Sequence, residues 1–209
     1  LKLAAPQLGE LAKLANAPIS GAVSGDFALS GAVADPAATV ALRFKPLVAG
    51  GERFAEAALS VNATTLVSGP KGAFKASAQS PYGRVTAESQ FALKGDALAL
   101  KSLKLGAPGA AASGSLNANL RTTTATGKIA LNVSSFADAL RPLGIEASGK
   151  AKGDIVLKTA KKGGQTVDLT VDIKQFAGFG VELAEARLTA KGGLDGKAPI
   201  AARLSAKGF

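Results

Sequence analysis

Thr166-Val-Asp-Leu-Thr-Val-Asp-Ile-Lys174 decides the fold. Val167, Leu169, Val171 and Ile173 are aliphatic, and Thr166, Asp168, Thr170, Asp172 and Lys174 between them are hydroxylated or charged. Successive side chains of a strand point to opposite faces, so this stretch is a strand with one apolar and one wet face.

The same alternation runs outward from it. Upstream stand Ile155 and Leu157, Ile129-Leu131-Val133, Leu116-Ala118-Leu120, Leu103 and Leu105, Leu98 and Leu100, and Val85-Ala87-Ser89-Phe91-Leu93. Nearer the start, Val40, Leu42 and Phe44 alternate with Thr39, Ala41, Arg43 and Lys45, and Val23, Phe27 and Leu29 share one parity. Breakers divide these runs at short intervals: Ala49-Gly-Gly51, Ser68-Gly-Pro70, Gly106-Ala-Pro-Gly109, Lys162-Gly-Gly164 and Gly192-Gly193. Short strands joined by tight turns predict a mainly β, antiparallel meander.

The chain also repeats itself. Ser20-Gly-Ala-Val-Ser-Gly-Asp-Phe-Ala-Leu29 matches Ser148-Gly-Lys-Ala-Lys-Gly-Asp-Ile-Val-Leu157 at an offset of 128. Thr39–Phe44 aligns with Thr166–Val171 at 127, and Ala55–Ser60 with Ala184–Thr189 at 129. Three blocks in one order predict a repeated unit present in about one and a half copies, a piece of a longer repetitive protein. The expected organisation is one continuous elongated domain, with a first repeat unit over residues 1–135 and the start of a second over 136–209.

Two segments have helical spacing. Pro6 to Asn16 sets Leu8, Leu11, Ala12 and Ala15 on one side, and Ser135-Phe-Ala-Asp138 has the form of a capping box, stopped by Pro142 and Gly144. Each precedes its copy of the repeat block and is expected to pack on the sheet.

Composition narrows the chemistry. The 209 residues are 47% hydrophobic but only 5% aromatic, with no Cys, Met, His or Trp. Without Cys there are no disulfides or thiolate metal sites, and without His the commonest general base and metal ligand are gone. Lys plus Arg number 25 against 15 acids, a net charge of +10. The basic residues are scattered rather than clustered as in nucleic-acid binders, so they read as a solvated face with some attraction to anionic membrane surfaces. The longest uncharged run, Leu105 to Leu120, contains Pro108, Gly109 and Gly114 and is too short and broken to span a bilayer.

Candidate catalytic features fail on geometry. Gly144-Ile-Glu-Ala-Ser-Gly149-Lys150 approaches a phosphate loop, but Ala151 replaces the hydroxyl residue and the flanking elements come in the wrong order. Asp168 and Asp172 share a strand face with alpha carbons ~13 Å apart, beyond the reach of a glycosidase pair. Asp26 and Asp154 recur beside glycines with no second ligand nearby and read as turn or strand-edge residues rather than metal ligands. No enzyme, metal or cofactor is expected.

What remains is the apolar face itself. Two short helices cannot cover about ten strands, so the sheet must fold onto itself. Its inner positions alternate small residues with Leu, Val, Ile and Phe, which leaves a trough suited to acyl chains at about 0.8 kcal/mol per buried methylene. The expected lining is Val23, Phe27, Leu29, Val40, Leu42, Phe44, Ile129, Leu131, Val133, Ile155, Leu157, Val167, Leu169, Val171 and Ile173, with Arg43, Asp168 and Asp172 on the opposite face.

The order of these features carries a resemblance. A helix with Leu11-x-x-Leu14 or Leu140-x-x-Leu143, then Ser-Gly-x3-Gly-Asp-φ-x-Leu, then alternating strands, resembles the AsmA-like superfamily of Gram-negative bacteria, most of all its TamB branch. Phe91–Leu100, Leu103–Gly106 and Gly114–Leu120 have the same character. The resemblance implies an elongated, curved antiparallel sheet forming an apolar β-taco groove with two short helices. It implies a periplasmic location within an inner-membrane-anchored protein, phospholipid as the cargo moved between inner and outer membranes, and a TamA-type outer-membrane β-barrel partner. Outer-membrane protein assembly is the older reading for that family. The competing expectation is a structural repeat of a surface adhesin or passenger-type β-solenoid.

Overall fold

The computed structural model describes residues 2–5, 19–49, 52–160, 164–194 and 200–208. The helix expected over Pro6–Asn16 lies outside them. By internal contacts the chain divides into two compact units, Leu1–Gly95 and Asp96–Phe209.

In the first unit, β1 (Lys2–Ala5), β2 (Ile19–Ser30), β3 (Ala37–Ala49), β5 (Glu56–Thr64), β6 (Lys71–Ser80) and β7 (Gly83–Lys94) pair antiparallel in chain order, and the short β4 (Glu52–Phe54) pairs with β3. In the second unit, β8 (Ala97–Ala107), β9 (Ala110–Asn119), β10 (Thr124–Val133), β11 (Ala147–Thr159), β12 (Gln165–Gly178), β13 (Val181–Gly193) and β14 (Ala201–Lys207) do the same. Every described pairing is antiparallel and joins strands adjacent in the chain, except that β3 pairs with β5 beyond the short β4, as period-two strands and tight turns require. No helix among the described residues is long and apolar enough to cross a membrane.

Among the described residues of the second unit, one helix, α1 (Phe136–Leu140), is followed by a 3-10 turn at Arg141–Leu143. The Asp138 N–H donates to Ser135 Oγ at 3.2 Å, so Ser135 is the N-cap. The box is not reciprocal: the Asp138 carboxylate accepts from Arg141 at 2.8 Å, and the Ser135 N–H donates instead to the Gly109 carbonyl at 3.2 Å. The helix thereby closes the end of the sheet over the Pro108–Gly109 turn, and its Phe136 ring meets Phe176 edge-on at 5.8 Å.

The register explains the repeated glycines. Gly21 and Gly149 have φ of +132° and +120°, and a methyl group on either would strike the backbone carbonyl of Pro46 or Gln175 respectively. Both sit where the ladder to the next strand slips by one residue. Gly25 and Gly153 are crossing points: a methyl there would run into the carbonyl of Ala41 or Thr170. Pro46 and Gln175, and Ala41 and Thr170, are each 129 apart.

The pairings fix the repeat offset more firmly than residue identity does. Asp26 faces Ala41 and Asp154 faces Thr170; Leu42 faces Leu59 and Val171 faces Leu188. The equivalent of β3 in β12 is therefore displaced by 129, not 127, and Arg43 corresponds to Asp172. A slip of two residues leaves every side chain on its own face, which is why the alternating sequence alone does not distinguish the two alignments.

Candidate apolar binding face

Direct cross-strand partners share a face, so the register assembles rows across each sheet. In the first unit the rows read Val23–Phe44–Ala57–Ala78–Val85, Gly25–Leu42–Leu59–Ala76–Ala87, Phe27–Val40–Val61–Phe74–Ser89 and Leu29–Ala38–Ala63–Gly72–Phe91. All six lining residues expected there fall on this one face.

In the second unit the rows read Leu100–Leu116–Gly127–Leu157–Val167–Gly192 and Leu103–Gly114–Ile129–Ile155–Leu169–Ala190–Ala202. Beside them run Leu105–Ala112–Leu131–Gly153–Val171–Leu188–Leu204 and Ala107–Ala110–Val133–Ala151–Ile173–Ala186–Ala206. The nine remaining expected residues are all present, and Asp168 and Asp172 lie on the opposite face. So does Arg43 in the first unit.

Small residues make this face self-packing. The positions below a tenth exposed include Ala38, Ala57, Ala63, Ala147, Ala151 and Ala186, with Val23 and Leu103. Larger neighbours lean over the glycines: Leu42 over Gly25, Leu116 over Gly127 and Val171 over Gly153. No large side chain among the described residues is fully buried. Of the expected lining, Val23 is buried, Leu29 is 58% exposed, and the rest are half-buried. The sheet covers its own floor but not its larger aliphatics.

The area left is considerable. Six strand spacings of ~4.8 Å and three row spacings of ~6.8 Å give the second unit's face a footprint of about 590 Å².

The other face of the second unit is a lattice of charge. Asp168 accepts from Lys158 at 2.8 Å and meets Lys191 at 3.6 Å; Asp172 meets Arg187 at 3.0 Å, and Asp154 meets Lys128 at 3.1 Å. The Lys158 hydrogen bond, with the charges of Lys158 and Lys191, holds the Asp168 carboxyl below its ordinary range. Exposed pairs of this kind are screened by water and contribute little, so they mark the wet face rather than hold the fold. They also give Asp154, Asp168 and Asp172 structural partners. Two shallow depressions, of about 430 Å³ over β12–β14 and about 470 Å³ over β10–β13, lie among these charged residues.

One contact between loops of the first unit was not expected from sequence. Asp35 accepts from the Ser68 hydroxyl and from the Val67 N–H at 3.0 Å, joining the β2–β3 turn to the loop after β5. The Ser68 hydroxyl, followed by the Val67 amide, lowers the Asp35 carboxyl below its ordinary value. The only signal in sequence is Asp35 before Pro36, an ordinary turn pair.

No protein-family model matches the chain, and neither a curated protein nor a solved structure does.

Proposed function

We propose that this chain is a segment of a lipid-shielding groove, non-catalytic, that holds acyl chains against its aliphatic face. In this reading it belongs to a periplasmic, inner-membrane-anchored protein of a Gram-negative bacterium. It helps move phospholipids between the inner and outer membranes, and its parent works with a TamA-type outer-membrane barrel. The observation that carries the proposal is the pairing of two unlike faces on one sheet. One face is aliphatic and half-exposed from β8 to β14, and the other is ion-paired. Burying that aliphatic surface under acyl chains gains about 0.8 kcal/mol per methylene without a directional contact. Such a face discriminates weakly between head groups.

The neighbour-to-neighbour antiparallel pairing departs from the coil-on-coil parallel stacking of a β-helical passenger solenoid, which weighs against the adhesin alternative. A chaperone-like face for outer-membrane proteins uses the same aliphatic surface, and competition separates the two. The test is organic extraction and native mass spectrometry of the purified 209-residue chain. Co-purifying glycerophospholipids of several head-group classes support the proposal. Lipid-free protein that captures unfolded outer-membrane barrel chains instead supports the chaperone reading and contradicts lipid carriage.

A further inference from the structure

β14 is the last strand in the pairing order, and all seven of its residues are exposed. It pairs with β13 from Ala201 to Lys207 without a slip, and it contains no proline. Strand edges are usually blunted by bulges, proline, charged side chains or burial; of these β14 carries only the charges of Arg203 and Lys207, and its unbroken backbone edge is a template for another strand.

The repeat shows what such an edge accepts. β13 and β14 pair as β5 and β6 do: Ala57 faces Ala78 and Leu59 faces Ala76, while Ala186 faces Ala206 and Leu188 faces Leu204. β14 is thus the counterpart of β6, with Arg203 in the place of Lys75. The outer edge of β6 carries β7 in ten consecutive pairs, from Lys71 with Ala92 to Ser80 with Gly83. In that ladder Lys75 faces Glu88, Ala76 faces Ala87 and Ala78 faces Val85.

We infer that the outer edge of β14 docks an antiparallel strand of β7's chemistry, apolar on alternate residues, with a carboxylate opposite Arg203 and a branched aliphatic opposite Ala206. The docked strand extends the rows of the aliphatic face by one residue and flanks Leu204, which is 62% exposed. This does not depend on what the face binds.

The probe is a fluorescent peptide of the β7 sequence, Gly83–Lys94, added to the intact 209-residue chain. Since the chain has no cysteine, single-cysteine pairs report register cleanly. The expected result is saturable binding, with a disulfide from Ala206→Cys to the Val85→Cys peptide and none to the Phe91→Cys peptide. Arg203→Glu weakens binding about two- to fivefold, the range of one cross-strand charge pair, and the Glu88→Lys peptide restores it. Circular dichroism confirms that the variant is folded. Absence of saturable binding, equal disulfide yield from both peptides, or capture by Ala78→Cys on β6 through displacement of β7 would overturn the inference. So would sedimentation of the free chain as a dimer joined through β14.

Discussion

Ile155 and Leu169 stand directly opposite one another across β11 and β12, in the row that runs from Leu103 to Ala202. Thr170, the next residue, faces Asp154 on the other side of the same sheet. One step along the chain therefore crosses from the aliphatic face to the charged one.

Leu169→Asp places a carboxylate among aliphatics that remain half-exposed, so solvent still reaches it. The expected loss is about 1–2 kcal/mol with the sheet intact. Thr170→Lys is the matched control, because its ammonium faces Asp154, and it is expected within about 0.5 kcal/mol of the parent. Thr170→Asp is unsuitable, since two carboxylates would face each other. Urea unfolding measures both variants. A loss above about 4 kcal/mol for Leu169→Asp indicates that something covers the face.

Gly153→Ala and Gly25→Ala push a methyl group into the carbonyls of Thr170 and Ala41. Each is expected to cost about 2–3 kcal/mol, because the strands must separate or bend. Gly180→Ala meets nothing within 4 Å and pays only for its φ of +74°, about 1 kcal/mol. Denaturant midpoints rank the three, and equal midpoints refute the crossing-point account.

Stability should fall in acid in a way that Asp35 and Asp168 explain. Both carboxyls titrate lower in the folded chain than their ordinary value. The stabilisation is therefore present above the unfolded pKa, about 3.9, and is lost as pH falls through the lower folded value. Replacing both with Asn should flatten the acid limb by lowering stability above about pH 4, while the most acidic region, where both carboxyls are already protonated, stays nearly unchanged. Carboxyl-carbon titration of Asp168 in Lys158→Ala should move upward. An unchanged titration contradicts the hydrogen-bond cause.

Phe136 and Phe176 tie α1 to the sheet through an edge-on ring pair. A double-mutant cycle to Leu should give a coupling of about 0.5–1.5 kcal/mol. Zero coupling means that the helix is held by Ser135 and the Gly109 carbonyl alone.

The faces were legible in the sequence because a strand's period is two and both copies obey it. Val167 to Ile173 needed only their spacing. The repeat offset of β3 was not legible, because Thr39 aligns by identity with Thr166 and a two-residue slip preserves parity. Nor was the function of the two repeated glycines, which depends on the carbonyls of Ala41 and Pro46 approaching from another strand. Gln165 is a similar case. Its side-chain amide accepts from the Ala125 N–H at 2.6 Å and donates to the Ala125 carbonyl at 2.8 Å, a backbone substitute from 40 residues away. A contact of that separation leaves no local pattern.

The most direct test of the lipid-facing claim is site-specific photocrosslinking in the presence of phospholipid vesicles. Photoreactive residues at 155, 169 and 171 sample the aliphatic face, and those at 154, 170 and 172 sample the charged face of the same strands. The account predicts lipid adducts at the first three positions and none above background at the second three. Efficient adducts at 170 with none at 169 would contradict the face assignment, and no adduct at any of the six would contradict lipid binding itself.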